Sequence, residues 1–309
     1  MVKMKNLNVR LDLQEILEDF YDLYAYINGE FVKGNDARIS IWDYGLMYGD
    51  GVFEGIRCYN SGIFKLDDHI DRLYGSAKAI GIEDIPLSKR EMKLVVIETV
   101  KRNSLSNAHI RIIVTRGPGK PGINPKRTKK RTVIITAYPY PAMYGGKIGL
   151  RLITSAVRAK SPHSIDAKIK CLDYLDHILA KIQAQIANAD DALILDNNSC
   201  VAEGTGANVF VVSKSTLYTP FLTAALAGIT RATVMELAAK VGYKVFEKDI
   251  TVYDVYNADE VFLTGTGTEI SPVAEVDGRR IGTATPGPIT SKLQRLYVAL
   301  VNEEFRTLI

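Results

Sequence analysis

The sequence predicts a two-domain α+β protein, and three observations support this prediction. The 309 residues suffice for two ordinary domains, and 47% apolar against 24% charged residues is a globular balance. Proline and glycine cluster in a segment at 138–147, as expected of a linker. Beyond it, many short strands with turn glycines favour a barrel-like domain. We therefore predict a small α+β domain over 1–141, a linker over 142–147 and a larger domain over 148–309.

The small domain is predicted to begin with a helical extension. Apolar residues recur at helical spacing from Leu13 to Tyr24, with acids between them. The Asn28-Gly29 pair then predicts the turn of a β-hairpin over 26–32. The remaining elements are predicted as strands at 52–59 and 63–66, helices at 67–80 and 88–103, and strands at 109–115 and 132–138.

The larger domain is predicted to mix strands and helices in a similar way. Its strands are expected near 148–157, 191–196, 200–204, 207–213 and 260–264. Its helices are expected near 172–188, 229–241 and 287–305. The sequence has no internal repeat and no low-complexity tract.

Composition excludes several classes of protein. The net charge of +4 is small, and the one dense basic run, at 126–131, is interpreted as a solvated loop end, so nucleic acid is not expected as a partner. Cys58, Cys171 and Cys200 are widely spaced, which argues against disulfides and a metal site. No apolar stretch approaches the ~20 residues of a membrane span, and no signal-peptide core is present. We expect a soluble, cytoplasmic protein without metal.

Three glycine-bearing turns stand out in the second half, at 203–206, 228–231 and 264–268. The second opens a predicted helix, whose N-terminus offers backbone N–H groups and a positive dipole end to an anion. In the third, which follows a predicted strand, glycines let N–H groups converge and threonines add hydroxyl donors. Without a Walker or Rossmann fingerprint, the two turns indicate a small phosphorylated ligand.

Lys170 precedes a predicted helix, and Tyr174 lies four residues further on. If the helix has already begun, both side chains face the same side. An amine beside a phenol suits imine chemistry, because the amine can attack a carbonyl and the phenol can bond a ring oxygen.

Seven segments of the chain, in order, resemble class IV (fold type IV) pyridoxal-phosphate (PLP) aminotransferases, most closely the branched-chain amino acid enzymes. They are 48–59, 110–111, 122–125, 170–174, 203–210, 228–231 and 262–270. The resemblance implies a small α/β domain and a larger pseudo-barrel domain. It also implies transfer of an amino group from leucine, isoleucine or valine to 2-oxoglutarate. The implied ligands are PLP, amino acids and 2-oxo acids.

The same resemblance implies the cofactor site. Lys170 would be the catalytic residue, forming an imine with PLP and moving the substrate proton. Tyr174 would bond the phenolic oxygen, and Glu203 would pair with the pyridine nitrogen. Leu226 would pack on the ring. The phosphate would be held by Arg57, Ile229, Thr230, Gly265 and Thr266.

The implied substrate site is apolar with a few polar groups. Tyr48, Phe53, Ile123 and Tyr144 would form the side-chain pocket, with Ile123 reaching in from a second subunit of a homodimer or higher homo-oligomer. Arg111 would engage the distal carboxylate of glutamate. His109 and Gly267 would lie near the substrate α-carboxylate.

The chain departs from the family pattern at His109, where tyrosine is usual, at Asp173, where asparagine is usual, and at Gly267 and Thr268, where two alanines are usual. An ordinary histidine pKa of about 6.5 predicts that His109 changes charge within the working pH range. The long N-terminal helix and the segment at 66–70 resemble (R)-selective amine transaminases.

An alternative is therefore a transaminase of the same fold that acts on (R)-amines or D-amino acids. A lyase on the same cofactor is a third interpretation. A non-catalytic phosphate-ligand binding protein is a fourth, although it would have no need of an imine-forming lysine.

Overall fold

The computed structural model describes residues 20–139, 143–144 and 147–303, and its first β-sheet has six antiparallel strands. They are β1 (Tyr24–Ile27), β2 (Glu30–Lys33), β3 (Gly51–Tyr59), β4 (Gly62–Ile63), β5 (Ala108–Thr115) and β6 (Thr132–Tyr138). Their order across the sheet is β2-β1-β6-β5-β3-β4. Helices α1 (Tyr44–Tyr48), α2 (Leu66–Ala79) and α3 (Lys89–Arg102) belong to the same half, and α2 and α3 pack on one face.

The alternation of side chains in β5 explains how this sheet serves two purposes. Ala108, Ile110 and Ile112 are fully buried in a core shared with α2 and α3. His109 and Arg111 lie between them in sequence, so they project from the opposite face of the sheet. One face of the sheet is therefore core, and the other is available to a site.

The second sheet has nine strands and curls into a half-barrel. They are β7 (Leu150–Arg158), β8 (Asp191–Leu195), β9 (Val201–Gly204), β10 (Asn208–Ser213), β11 (Thr216–Thr219), β12 (Val245–Glu247), β13 (Glu260–Gly265), β14 (Glu269–Val276) and β15 (Arg279–Arg280). The order is β12-β11-β10-β13-β14-β7-β8-β9, with β15 paired to β14. Pairs β7·β8, β7·β14 and β11·β12 are parallel.

Four helices complete this half of the molecule. They are α4 (Leu175–Ile186), α5 (Ile229–Lys240), α6 (Val252–Tyr256) and α7 (Pro288–Glu303). The apolar faces of α5 and α7 pack on Phe210 and Phe262 of the sheet. Short 3-10 helices at Gly34–Asp36 and Pro125–Arg127 lie in loops of the first half. Within the described residues, no helix is both long and apolar enough to cross a bilayer.

Most of the predicted elements are confirmed to within a few residues, and the exceptions have physical reasons. Strand β14 was not predicted, because Pro272 in its middle is unusual for a strand. Strands β11, β12 and β15 and helices α1 and α6 are too short to carry a clear pattern. Leu66, predicted in a strand, begins helix α2.

Two predictions at the domain ends are only partly within the described residues. The N-terminal helix lies outside them up to residue 19, and its predicted last residue, Tyr24, belongs to strand β1 instead. The predicted linker falls between the end of β6 at Tyr138 and the start of β7 at Leu150. The division into domains at this point stays a prediction.

Candidate active site

A cavity of about 500 Å³ lies between the two sheets. The first sheet contributes Phe53 and Gly55 of β3 and His109, Arg111 and Ile113 of β5. These residues share one face, because the register pairs Phe53 with Ile113 and Gly55 with Arg111. The second half contributes its predicted glycine turns. The cavity also includes Lys170, Tyr174, Glu203, Leu226, Gly228, Ile229, Thr230, Thr264, Gly265, Thr266 and Gly267.

Lys170 lies in an extended loop that pairs with the start of β3. The Lys170 carbonyl accepts from the Phe53 N–H at 3.0 Å, and the Lys170 N–H donates to Ser76 Oγ at 3.1 Å. Its ammonium Nζ donates to Tyr174 Oη at 2.9 Å and lies 4.4 Å from the centre of the Phe53 ring. Lys170 and Tyr174 therefore meet as predicted, but the helical argument was wrong, since α4 begins at Leu175.

Burial decides the electrostatic state of this pair. It lowers the pKa of the Lys170 amine from 10.5 to about 8, against the opposing charge of Glu54. At pH 7 about one amine in ten is then neutral, and only the neutral amine is a nucleophile. Burial also raises the pKa of Tyr174, so its hydroxyl keeps its proton and can donate.

Glu203 is the last residue but one of β9 and also faces the cavity. Its Oε2 accepts from the Leu226 N–H at 3.1 Å. Burial raises the pKa of Glu203 to about 7, although the Leu226 N–H and the charge of Lys170 oppose that shift. A nearby cation or N–H donor would therefore determine whether this carboxyl is ionised.

The cavity wall includes the N-terminal end of α5, which has no side-chain cap. A Cβ on Gly228 would stand 1.9 Å from Asn208 Oδ1, so a side chain there would displace the Asn208 amide from its hydrogen bond to the Leu226 carbonyl. The first N–H groups of a helix have no partner within the helix. Together with the turn at Gly265 and Thr266, this end forms an anion cradle of the predicted kind.

Arg72 of α2, which was not predicted, is the arginine next to this cradle. Its guanidinium donates to both oxygens of Glu54, at 2.7 and 2.9 Å, and to the Ala227 carbonyl at 2.8 Å. Burial alone would raise the pKa of Glu54, but His69 and Arg72 outweigh it and lower that pKa to about 2. Glu54 therefore holds Arg72 in place as a fixed cation.

Arg57, which was predicted to hold the phosphate, does not line the cavity. Its guanidinium is buried and stacks 5.2 Å from the centre of the Tyr59 ring. Arg72, which donates to the carbonyl of the residue before Gly228, lines the cavity at this position instead. A single basic residue on an amphipathic helix gives no sequence signal that could have identified it.

Phe53, Arg111 and His109 line the cavity as predicted, but His109 does not have the predicted charge. Burial, with the positive charges of Arg111 and Arg57, lowers the pKa of His109 to about 3. This shift favours the neutral imidazole near neutral pH, contrary to the expected change of charge there. The Arg111 guanidinium lies 4.8 Å from the centre of the Phe53 ring and faces the cavity.

The remaining predicted pocket residues lie elsewhere. Tyr144 donates its hydroxyl to the buried Asp191, and its neighbour Met143 lines the cavity instead. The Met143 N–H donates to the Gly267 carbonyl at 2.9 Å, which places Gly267 in the wall as predicted. Tyr48 and Ile123 are exposed, Ile123 by 89% of its surface, and do not line the cavity of a single chain.

Several further wall residues were not predicted from the sequence. Apart from Arg72 and Met143, they include Tyr138, Leu172, His177, Ile178 and Asn208. Tyr138 is the last residue of β6 opposite His109, a pairing that only the sheet register reveals. Among the described residues, no cluster of histidine, cysteine and acidic side chains could hold a metal ion.

Comparison with known proteins identifies the family. The family model for amino-transferase class IV matches residues 51–276, and this chain belongs to that family. A relative from Methanocaldococcus jannaschii is 48% identical over 273 residues, covering 88% of this chain and 94% of that protein. The branched-chain-amino-acid aminotransferase of Pseudomonas aeruginosa is 39% identical over 302 residues, covering 93% and 98%.

Solved structures agree with the sequence comparison. The branched-chain aminotransferase of Thermoproteus uzoniensis with norvaline has a TM-score of 0.86 and 34% identity, and the alignment covers 91% of this chain and 95% of that one. The PLP form of the branched-chain amino acid aminotransferase of Thermobaculum terrenum has a TM-score of 0.82 and 30% identity, with coverage of 92% and 95%. The fold type IV prediction is therefore confirmed.

Proposed function

We propose that this chain is a PLP-dependent transaminase that moves the amino group of branched-chain L-amino acids to 2-oxoglutarate. The observation that carries the proposal is Lys170, a half-buried residue whose amine has a lowered pKa and faces a tyrosine hydroxyl in a large cavity. The named activity of the Pseudomonas aeruginosa relative supports the substrate class.

The residues of the cavity fit PLP. The uncapped end of α5, the turn at Gly265 and Thr266, and Arg72 suit its phosphate, while Glu203 suits its pyridine nitrogen. A Cβ at Gly228 would collide with Asn208, which also lines the cavity. When bound, PLP supplies an electron-withdrawing ring that accepts charge from the substrate α-carbon.

The side chains then have separate tasks. The Lys170 amine, neutral in about one molecule in ten at pH 7, would hold the cofactor and would take or return the proton of the substrate α-carbon. The Tyr174 hydroxyl would donate to a ring oxygen, and Leu226 would pack at the ring. Glu203, as a carboxylate, would keep a pyridine nitrogen protonated.

The substrate end of the cavity combines apolar walls with one cation. Phe53, Ile113 and Met143 can enclose a branched aliphatic side chain, and Arg111 can bind the distal carboxylate of glutamate or 2-oxoglutarate. Gly267 and the neutral His109 remain candidates for contacts to the α-carboxylate. We assign Met143 to the position that was predicted for Tyr144.

We further propose that the protein is a homodimer. Exposed apolar residues lie on α4, where Ile178 also lines the cavity, and on α1 and the loops near Ile123. They include Trp42, Leu46, Tyr48, Ile123, Leu175, Ile178, Leu179, Ile182 and Ile186. An apolar surface of this kind typically marks an interface, and two-fold association is the commonest. Light scattering at assay concentration that gives a fully active monomer would refute this part.

Three experiments test the function. A substrate panel of leucine, isoleucine, valine, D-alanine and (R)-1-phenylethylamine, with 2-oxoglutarate as acceptor, should show transfer only from the three L-amino acids. Turnover of D-alanine or the amine alone would favour the alternative. Borohydride reduction and peptide mapping should place the cofactor on Lys170, with Lys168 as the internal control, and Lys170→Ala should abolish transfer.

A further inference from the structure

A second, much smaller cavity adjoins Glu203. It has a volume of about 30 Å³, and its wall includes Lys160, Asp176, His177 and Glu203. A cavity needs roughly 10–15 Å³ and two to four polar partners to hold one water molecule. The size and lining therefore suit a single water.

One hydrogen bond of His177 determines which ring nitrogen carries the proton, and therefore which one is an acceptor towards this cavity. Nδ1 lies 3.1 Å from the Thr205 carbonyl, which can only accept, so Nδ1 carries the proton. Burial lowers the pKa of the ring, which favours the neutral form, and Nε2 is then an acceptor. Nε2 stands 3.9 Å from both Glu203 Oε1 and Asp176 Oδ2. These distances are too long for direct hydrogen bonds and short enough for one bridging water.

Within the described residues, no group donates a hydrogen bond to the Asp176 carboxylate. Both carboxylate oxygens are buried. The Lys160 ammonium, 3.1 Å from Oδ1, compensates the charge as an ion pair. Three acceptors, on Asp176, His177 and Glu203, thus converge on one cavity.

We propose that one ordered water fills this cavity, held by His177 and Asp176, and donates a hydrogen bond to Glu203 Oε1. Its second proton is shared between His177 Nε2 and Asp176 Oδ2, as in a three-centre hydrogen bond. His177 and Asp176 are then positioning residues, because they act on the cofactor only through Glu203. The inference rests on the proposed function, since Glu203 meets a pyridine nitrogen only when PLP is bound.

The consequence is a more stable Glu203 carboxylate. A hydrogen bond to the charged form lowers a carboxyl pKa and opposes the effect of burial. The other groups that act on Glu203 are the Leu226 N–H, the cations of Lys170 and Lys160, and the anion of Asp176. Of these, only the Leu226 N–H donates a hydrogen bond to Glu203 within the described residues. The water therefore supplies the missing donor at Oε1.

Variants of His177 separate this role from simple packing. His177→Phe keeps an aromatic ring against Tyr174, whose ring centre lies 4.6 Å away at 22°, but removes Nε2. His177→Gln keeps a polar group that can bind the water. His163→Phe, on an exposed loop, is the matched control.

The measurement is the pKa of the Glu203 carboxyl in the apoprotein, by ¹³C NMR, with Glu203→Gln to assign the signal. His177→Phe should raise this pKa by about one unit, whereas His177→Gln and His163→Phe should leave it near the wild-type value. An unchanged pKa in folded His177→Phe would overturn the proposal that His177 positions the water.

A crystal structure of the wild-type holoenzyme tests for the water independently, and this test remains possible if His177→Phe does not fold. The expected result is one water within hydrogen-bond distance of Glu203, His177 and Asp176. A direct His177–Glu203 hydrogen bond, or no water there, would overturn the proposal. Failure of the proposed function would appear differently, as missing PLP binding or turnover in the wild type.

Discussion

Replacing Arg72 tests the phosphate end of the site most directly. The guanidinium has five N–H donors, and three of them are engaged, two by Glu54 and one by the Ala227 carbonyl. Two donors remain for a phosphate at the adjacent end of α5. Arg72→Lys keeps the charge beside Glu54 but loses the planar fork that serves several acceptors at once.

The expected loss follows from these two donors. A hydrogen bond to a charged group contributes about 1.5–3 kcal/mol. Losing one such contact weakens PLP binding by roughly ten- to 150-fold, at about 1.4 kcal/mol for each factor of ten. Arg72→Ala should lose more, and it should also destabilise the apoprotein, because it leaves Glu54 with His69 as its remaining partner.

Titration of each apoprotein with PLP, followed by the absorbance of the bound cofactor, gives the dissociation constants. Chemical denaturation of the apoproteins measures the stability loss separately. Arg57→Ala is the matched control, since Arg57 is buried outside the cavity wall. The reasoning is refuted if Arg57→Ala weakens PLP binding while both Arg72 variants bind it normally.

Three further outcomes are expected. The pKa of Lys170 is lowered from 10.5 to about 8, so the unfolded chain binds the additional proton between these values. The wild-type apoprotein should therefore gain stability relative to Lys170→Met as the pH rises from about 8 towards 10.5; parallel denaturation curves across this window would contradict it. Glu203→Gln should still bind PLP but slow the first half-reaction by about 10²-fold or more in stopped-flow measurements, because an amide cannot stabilise a protonated ring; wild-type rates would exclude the role. Because the pKa of His109 is lowered to about 3, the ratio of kcat/KM for L-leucine between wild type and His109→Tyr should stay constant from pH 6 to 9, and a ratio that changes through pH 6.5 would show a titrating histidine.

The elements that the sequence predicted well are those with a strong local signal. Helix α3 has its capping box at Ser88 and Glu91, and the Asn28-Gly29 turn has positive φ at both residues, as a tight hairpin turn requires. The glycine turns and Lys170 were found for the same reason, since their residue types are tied to one conformation or one chemistry.

The errors concern contacts that depend on tertiary structure. The spacing of four correctly predicted that Lys170 and Tyr174 meet. However, they meet within a loop and not on one face of a helix, because α4 begins at Leu175. Tyr144 and Met143 are neighbours near the linker, and only the fold shows which of them faces the cavity. The pKa of His109 depends on burial and on Arg111, neither of which can be read from its place in the chain.

The charges of the cavity connect these corrections to the chemistry. Lys170, Arg72 and Arg111 all face it, whereas Glu203 is the carboxylate in its wall and Glu54 lies buried behind Arg72. The neutral His109 adds no further cation. An excess of positive charge in a partly enclosed site attracts anions and lowers the pKa of the amine beside it. A phosphate at Arg72 and a carboxylate at Arg111 would compensate this positive charge. The first contact would hold the cofactor, and the second would select the acceptor. Each anion that binds would also raise the pKa of Lys170 by Coulomb attraction, so the amine would be a stronger base in the loaded site than in the bare one.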